Sequence, residues 1–309
     1  MKYAIFSDIH GNLPALMAAL SDSYAHEVDK YIFLGDYTNA FPWGNEVVKT
    51  IRGIKSALVI RGNGEGYLFD LLNKPLEEMT CEQFKPVYWA YRSLTKENLE
   101  YLTTLPENTS TFDSTTEIHL NHSFGIFYRT NQIDIFHSNE LKTLMAAPFS
   151  RQEYLELTRN AVMSRPDVLA EIFSLPKGIY LFGHNHLQFH MELDGRLFIN
   201  PGSCGEALDW DTTAAYTLLE CEGDNWCVNE RRVKYNLDDV VKGFIESGYE
   251  DYVPMWSRIM ELEVMTARDF FMPFVLHLID TGRKLGQPEY PVNNDVFHAA
   301  VKTWDARKF

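Results

Sequence analysis

The chain has 309 residues, with 28 Lys and Arg against 43 Asp and Glu, a formal charge of −15, and 45% apolar and 23% charged residues. That balance excludes wholesale disorder and, for want of a basic face, a general binder of long nucleic acid. It leaves room for a small anionic substrate if a metal site supplies local positive charge. Four cysteines, at 81, 204, 221 and 227, form no C-x-x-C pair and read as free thiols of a reducing cytosol. The first apolar run breaks at Ser7-Asp8, too early for a signal peptide. No later run reaches the ~20 residues of a membrane span. A cytoplasmic protein without a membrane partner is expected.

The first sixty residues alternate strands and helices. Tyr3-Ala4-Ile5-Phe6 stops at a polar turn, Ser7-Asp8-Ile9-His10-Gly11-Asn12. Leu13, Leu16, Met17 and Leu20 then predict a helix capped by Asn12, with Pro14 in its first turn. Tyr31 to Leu34 stops at Gly35-Asp36, and a helix marked by Val47, Val48 and Ile51 follows. Ala57 to Ile60 stops at Arg61-Gly62-Asn63-Gly64-Glu65. Near-continuous apolar runs read as strands buried on both faces of an α/β fold. Residues 66–105 read as a helical insertion and 108–137 as strand-like segments. A helix over 150–174 opens with a Ser150-x-x-Glu153 capping box. Gly178 to Phe182 is a strand ending at Gly183-His184-Asn185-His186, and short strands follow through residue 219. From Asn236 the pattern is helical, so residues 1–236 read as the catalytic domain and 237–309 as a helical appendage suited to a homodimer contact.

Strand ends thus present Asp8 with His10, then Asp36, Asn63, His122, and His184 with His186. Loops beyond the carboxyl ends of strands are where α/β sheets place their sites. Two Asp, four His and one Asn offer oxygen and imidazole nitrogen without thiolate. That set suits Mn²⁺ foremost, with Fe or Zn²⁺ as alternatives. One carboxylate can bridge two such ions.

In order, D-x-H (Asp8, His10), G-D (Gly35, Asp36), G-N (Gly62, Asn63), a lone His122 and G-H-x-H (Gly183, His184, His186) resemble the motifs of calcineurin-like metallophosphoesterases. SDIHGNLPAL, LFGHNH, FINPGSCGEA and LTKENLEYLTTLP resemble a bacterial branch that includes asymmetric diadenosine tetraphosphate hydrolases and phosphodiesterases. The resemblance spans roughly residues 1–235. It implies a four-layer α/β/β/α sandwich of two mixed sheets. It also implies one ion on Asp8, His10, Asp36 and His186, and another on Asp36, Asn63, His122 and His184, with Asp36 bridging. The implied activity is attack of a metal-bridging hydroxide on phosphodiesters or phosphoanhydrides, dinucleoside polyphosphates among them. Asp36, Asn63, His122 and Glu65 are the expected catalytic residues. A non-catalytic scaffold of the same fold and a protein phosphatase are the alternative readings.

Many members of this family carry G-N-H-[DE], whose imidazole serves the leaving group. Here Gly64 replaces it, which is expected to leave space for a bulky nucleotide. Asn12, Asn39 and Arg61 flank the ligand turns and are expected to touch phosphate oxygens. His119, three residues before His122, should face the opposite way on a strand. His137 is a rival for the His122 position, and His190 reads as a surface residue.

Overall fold

The computed structural model describes residues 1–126, 143–222 and 225–308. In chain order the elements are β1 (Lys2–Phe6), α1 (Leu13–Ala25), β2 (Lys30–Phe33), α2 (Gly44–Gly53), β3 (Ala57–Val59), α3 (Asn63–Phe69), α4 (Lys85–Ser93), α5 (Lys96–Thr104), β4 (Asn108–Asp113) and β5 (Thr116–Asn121). Next come α6 (Arg151–Met163), α7 (Pro166–Ser174), β6 (Gly178–Leu181), β7 (Gln188–Leu193), β8 (Arg196–Pro201), β9 (Ala214–Glu222) and β10 (Asn225–Val233). The helices α8 (Leu237–Glu246), α9 (Tyr249–Tyr252), α10 (Pro254–Thr266), α11 (Phe271–Lys284) and α12 (Asn294–Thr303) complete the chain.

The strands form two five-stranded mixed sheets, ordered β10-β9-β1-β2-β3 and β4-β5-β6-β8-β7. β1, β2 and β3 run parallel, as do β5, β6 and β8, while β9, β10, β4 and β7 pair antiparallel at the flanks. Period-two alternation assigns the faces. Tyr3 and Ile5 of β1 join Ile118, Leu120, Ile179, Leu181 and Ile199 in a buried layer between the sheets. Ala4 and Phe6 turn the other way, onto Leu16 and Leu20 of α1 and Val47 and Ile51 of α2. On the second sheet, Tyr180, Phe182 and Phe198 pack outward against Tyr154, Val162 and Ile172 of α6 and α7. Helix, sheet, sheet and helix are the four layers expected.

Helical interruptions explain where residues 66–105 depart from one continuous helix. The first helix begins at Asn63, because Glu65 reaches back to the Gly62 backbone N–H at 2.8 Å and caps it. The Asn12 cap and the Ser150–Glu153 capping box form as the sequence predicts. The C-terminal helices bury Trp256, Ile259, Phe274, Leu278 and Phe297 among themselves and also cover Phe41. Their contact with the loop between β2 and α2 is close. A Cβ on Gly243 of α8 would lie 2.0 Å from the Trp43 ring, and Tyr249 donates its hydroxyl to the Ala40 carbonyl at 2.6 Å. Ala40 and Phe41 in turn donate their N–H groups to the His10 carbonyl. The helices therefore brace the turn that follows Asp36. Among the described residues no helix is long and apolar enough to cross a membrane, and all four cysteines are free.

Candidate metal centre

The turns after β1, β2, β5 and β6 and the start of α3 meet at one end of the two sheets. Backbone hydrogen bonds tie them together: His10 and Ile9 donate to the Asp36 carbonyl at 2.9 Å, Asp8 to Gly35 at 3.1 Å, and Gly183 to His122 at 2.9 Å. The loop after β8 closes over them, with Cys204 donating to Ser7 and Gly205 to Asp8. Such close packing explains the motif glycines. A Cβ on Gly62 would sit 2.1 Å from Asp36 Oδ1, and one on Gly183 1.9 Å from Ser7 Oγ.

Five of the seven expected ligands stand in left-handed backbone: Asp8 (φ 52°), His10 (53°), Asp36 (57°), His184 (73°) and His186 (60°). Asp and His tolerate this region better than most residues, yet it is strained, and strain of this kind gathers at functional sites.

The donor atoms converge. His10 Nε2 lies 3.1 Å from His186 Nε2, and His186 Nε2 lies 3.6 Å from Asp8 Oδ1. His122 Nε2 lies 2.9 Å from Asn63 Oδ1 and 3.4 Å from Asp36 Oδ2, while Asp36 Oδ2 is 3.9 Å from His10 Nε2. The His184 ring stands edge-on to His122, its centroid 5.3 Å away, and its backbone N–H donates to Asp8. Asp8, His10 and His186 form one compact donor group, and Asp8, Asp36 and His122 a second. In two imidazoles the other nitrogen is spoken for: His122 Nδ1 bonds the Leu34 carbonyl at 2.8 Å and His186 Nδ1 the Glu206 carbonyl at 2.7 Å. Each Nε2 is left aimed inward, the arrangement in which protein imidazoles present themselves to a cation. Oxygen and imidazole donors at these separations fit divalent ions.

The electrostatics agree. Burial alone would raise the Asp36 pKa, but His122 and His10 beside it hold it well below the carboxylate range. Burial would lower His122, yet Asp36 pushes it up to about 10. For His10, burial again opposes the charges of Glu206, Asp36 and Asp8, which prevail and raise its pKa. Burial and the neighbouring His122 charge lower His184. Protons and cations therefore compete for this pocket.

Four of the expected residues have partners within the chain. Glu65 is fully buried, and its carboxylate accepts the N–H groups of Asp36 (3.0 Å), Tyr37 (2.9 Å) and Gly62 (2.8 Å). It staples the Asp36 turn to the Asn63 turn. Asn12 is consumed by capping Ala15 and by donating to the Gly205 carbonyl at 2.7 Å. Asn39 donates to the Gly64 carbonyl at 2.8 Å. Arg61 pairs with Glu107 and lies over the Phe69 ring. The space expected at Gly64 is filled as well, because a Cβ there would meet Asn39 Nδ2 and Asp36 Oδ1 at 2.9 Å each. His119 stacks on Tyr180 away from the site, and His190 pairs with Glu230 at the surface. His137 lies outside the described residues.

Residues not singled out complete the frame. Asn200, fully buried, donates to the Gly183 carbonyl and to Asn185 Oδ1, fixing the G-H-N-H turn. Ser203 donates to the Asp8 carbonyl at 2.7 Å, and Glu206 Oε2 approaches His10 Nε2 at 3.5 Å. The stretch FINPGSCGEA was visible in sequence, but the partners of Ser203 and Glu206 sit nearly 200 residues earlier.

The staple can be tested. Glu65→Ala orphans three buried N–H groups at roughly 1–3 kcal/mol each. A loss of about 3 kcal/mol or more in chemical denaturation is expected, and an unchanged midpoint would refute the role.

Comparison with known proteins supports the same assignment. A family profile described as the calcineurin-like phosphoesterase superfamily domain matches residues 1–224. An uncharacterized protein of Methanocaldococcus jannaschii, MJ0912, is 25% identical over 272 residues, covering 82% of this chain and 94% of its own. A metallophosphoesterase structure from Sphaerobacter thermophilus superposes with a TM-score of 0.54 at 24% identity, over 83% of this chain and 99% of its own. The hypothetical protein PH1004 from Pyrococcus horikoshii OT3 gives a TM-score of 0.57 at 18% identity, over 84% of this chain and 97% of its own. With the profile covering most of the chain, the protein belongs to the calcineurin-like phosphoesterase superfamily.

Proposed function

We propose that the chain is a dinuclear metal-dependent phosphoesterase that cleaves small phosphodiesters or phosphoanhydrides, dinucleoside polyphosphates among them. The observation that carries this reading is the pair of donor groups that share Asp8, with Asp36 Oδ2 of the second group 3.4 Å from His122 and 3.9 Å from His10 of the first. Asp8, His10, Asp36 and His186 would hold one ion, and Asp36, Asn63, His122 and His184 the other. When bound, such ions stabilise charge on phosphoryl oxygens and make hydroxide available near neutral pH. Donors without thiolate favour Mn²⁺.

The chain's own residues hold this arrangement in advance. The Gly64 N–H donates to Asp36 Oδ1 at 2.7 Å, leaving Oδ2 toward the two imidazoles. Glu65 locks the backbone on either side of that carboxylate, and the Leu34 carbonyl fixes the His122 ring. Preorganised donors of this kind cost no rearrangement during reaction.

The test strips the protein with a chelator and reloads it separately with Mn²⁺, Fe²⁺ or Zn²⁺. Each form is then assayed on a dinucleoside tetraphosphate, a bis-aryl phosphodiester and a phosphopeptide. Turnover that disappears on stripping and returns on reloading is expected, fastest with Mn²⁺. A folded, metal-loaded protein inert toward the whole panel would favour a scaffold.

A further inference from the structure

The loop after β8 holds the metal centre at its start and an aromatic platform further on. Four residues beyond Glu206, whose carbonyl bonds His186 Nδ1, stands Trp210. An extended chain covers at most ~3.6 Å per residue, so Trp210 lies within ~14 Å of Glu206, beside the donor groups. Its backbone is left-handed, with φ 65°, a costly conformation for so bulky a side chain. Both of its N–H groups are tied down. The backbone donates to the Ala267 carbonyl at 2.8 Å, and Nε1 to the Met145 carbonyl at 2.9 Å.

A guanidinium rests on this ring. Arg268, in the link between α10 and α11, places Cζ 4.7 Å from the Trp210 ring centroid and 5.2 Å from that of Phe270. The residue is half-buried, yet none of its N–H donors meets a carboxylate, hydroxyl or carbonyl among the described residues. The neighbouring acids are engaged elsewhere: Asp209 pairs with Arg232, and Asp269 Oδ1 accepts the Met272 N–H at 2.9 Å. Aromatic faces restrain a cation without neutralising it. The planar fork therefore keeps its charge and its donors for an anion from outside the chain, and it matches phosphate oxygens two at a time.

We propose that Arg268, held by Trp210 and Phe270, binds a phosphate of the substrate other than the one under attack. The inference rests on the phosphoesterase reading and narrows it. A chain of several phosphates reaches the donor groups and Arg268 together, whereas a lone diester phosphate engages only the donor groups. The C-terminal helices, through the α10–α11 link, thereby select for phosphoanhydrides.

Two measurements on the full-length, Mn²⁺-loaded protein test this. One is calorimetric binding of a methylene-bridged, uncleavable dinucleoside tetraphosphate; the other is steady-state kinetics on the cleavable tetraphosphate and on a bis-aryl phosphodiester. Arg268→Ala should weaken the analogue by ~10–100-fold, as loss of hydrogen bonds from a charged donor does. It should raise KM for the tetraphosphate more than it lowers kcat, and cut the preference over the diester by a similar factor. Arg268→Lys, which keeps the charge without the fork, should recover part of the loss. Wild-type affinity for the analogue in a folded Arg268→Ala protein, or an equal loss on both substrates, would overturn the inference and leave the phosphoesterase reading standing. So would a wild-type protein that turns over the tetraphosphate yet does not bind the analogue. Arg268-dependent binding by a protein that cleaves neither substrate would keep the phosphate site and sink the catalytic reading instead.

Discussion

Asp36→Asn should lower the affinity of both ions and reduce kcat/KM by about 10²–10³, the several kcal/mol that metal-assisted charge stabilisation supplies. The reason is geometric. Asp36 Oδ2 stands 3.4 Å from His122 Nε2 of its own donor group and 3.9 Å from His10 Nε2 of the other, while Oδ1 is anchored by the Gly64 N–H. An asparagine keeps the shape but offers no charge to either side, and with its oxygen held by the Gly64 N–H it sets its NH₂ against the imidazoles. Elemental analysis of the purified variant and steady-state kinetics measure the two effects separately. A fully loaded and active Asp36→Asn protein would remove the bridge.

Leaving-group basicity should divide the substrates almost as sharply. Position 64 carries no imidazole, and both backbone groups of Gly64 are engaged, the N–H by Asp36 and the carbonyl by Asn39. This turn therefore offers no proton to a departing oxygen, and general acid catalysis is worth ~10²–10⁴ in rate. A nucleotide leaves with a phosphate whose second pKa is about 6 and can depart as an anion. An alkoxide cannot. A dinucleoside tetraphosphate should exceed an alkyl monoester in kcat/KM by ~10² or more, with a steep dependence on leaving-group pKa across aryl diesters. Gly64→His should not repair this, because its Cβ would press on Asn39 and Asp36 at 2.9 Å and disturb the bridging carboxylate. Equal kcat/KM for serine phosphate and the tetraphosphate would defeat the account.

The strands were legible because they are buried on both faces. Tyr3 to Phe6 and Ile179 to Phe182 are unbroken apolar runs, and each stops where polar donors begin. The supporting polar residues were not legible in the same way. Asn12, Asn39, Arg61 and Glu65 border the ligand turns, and sequence adjacency cannot distinguish a side chain aimed at substrate from one that satisfies the backbone or pairs with another side chain. Only folding shows that Glu65 spans residues 36, 37 and 62. Glu206 was hidden for the opposite reason. Its carboxylate approaches His10 and its carbonyl holds His186, so no local pattern could mark it. Helix periodicity announced α8 and its Gly248 stop, but the seating of Gly243 on Trp43 is a tertiary fit without a sequence signature.

The left-handed backbone at Asp8, His10, Asp36, His184 and His186 has a consequence for how the protein fails. Each such residue costs roughly 1–3 kcal/mol, so five together rival the 5–15 kcal/mol by which a typical domain is stable. The turns extend from strands that pack on one another through the layer of Ile5, Ile32, Ile118, Ile179 and Ile199 between the sheets. Thinning that layer need not unfold the chain to silence it. A single turn recoiling toward ordinary negative φ would swing its donor out of register while strands and helices stayed intact. Heat, age or a buried isoleucine trimmed to alanine should therefore disable this protein before it melts.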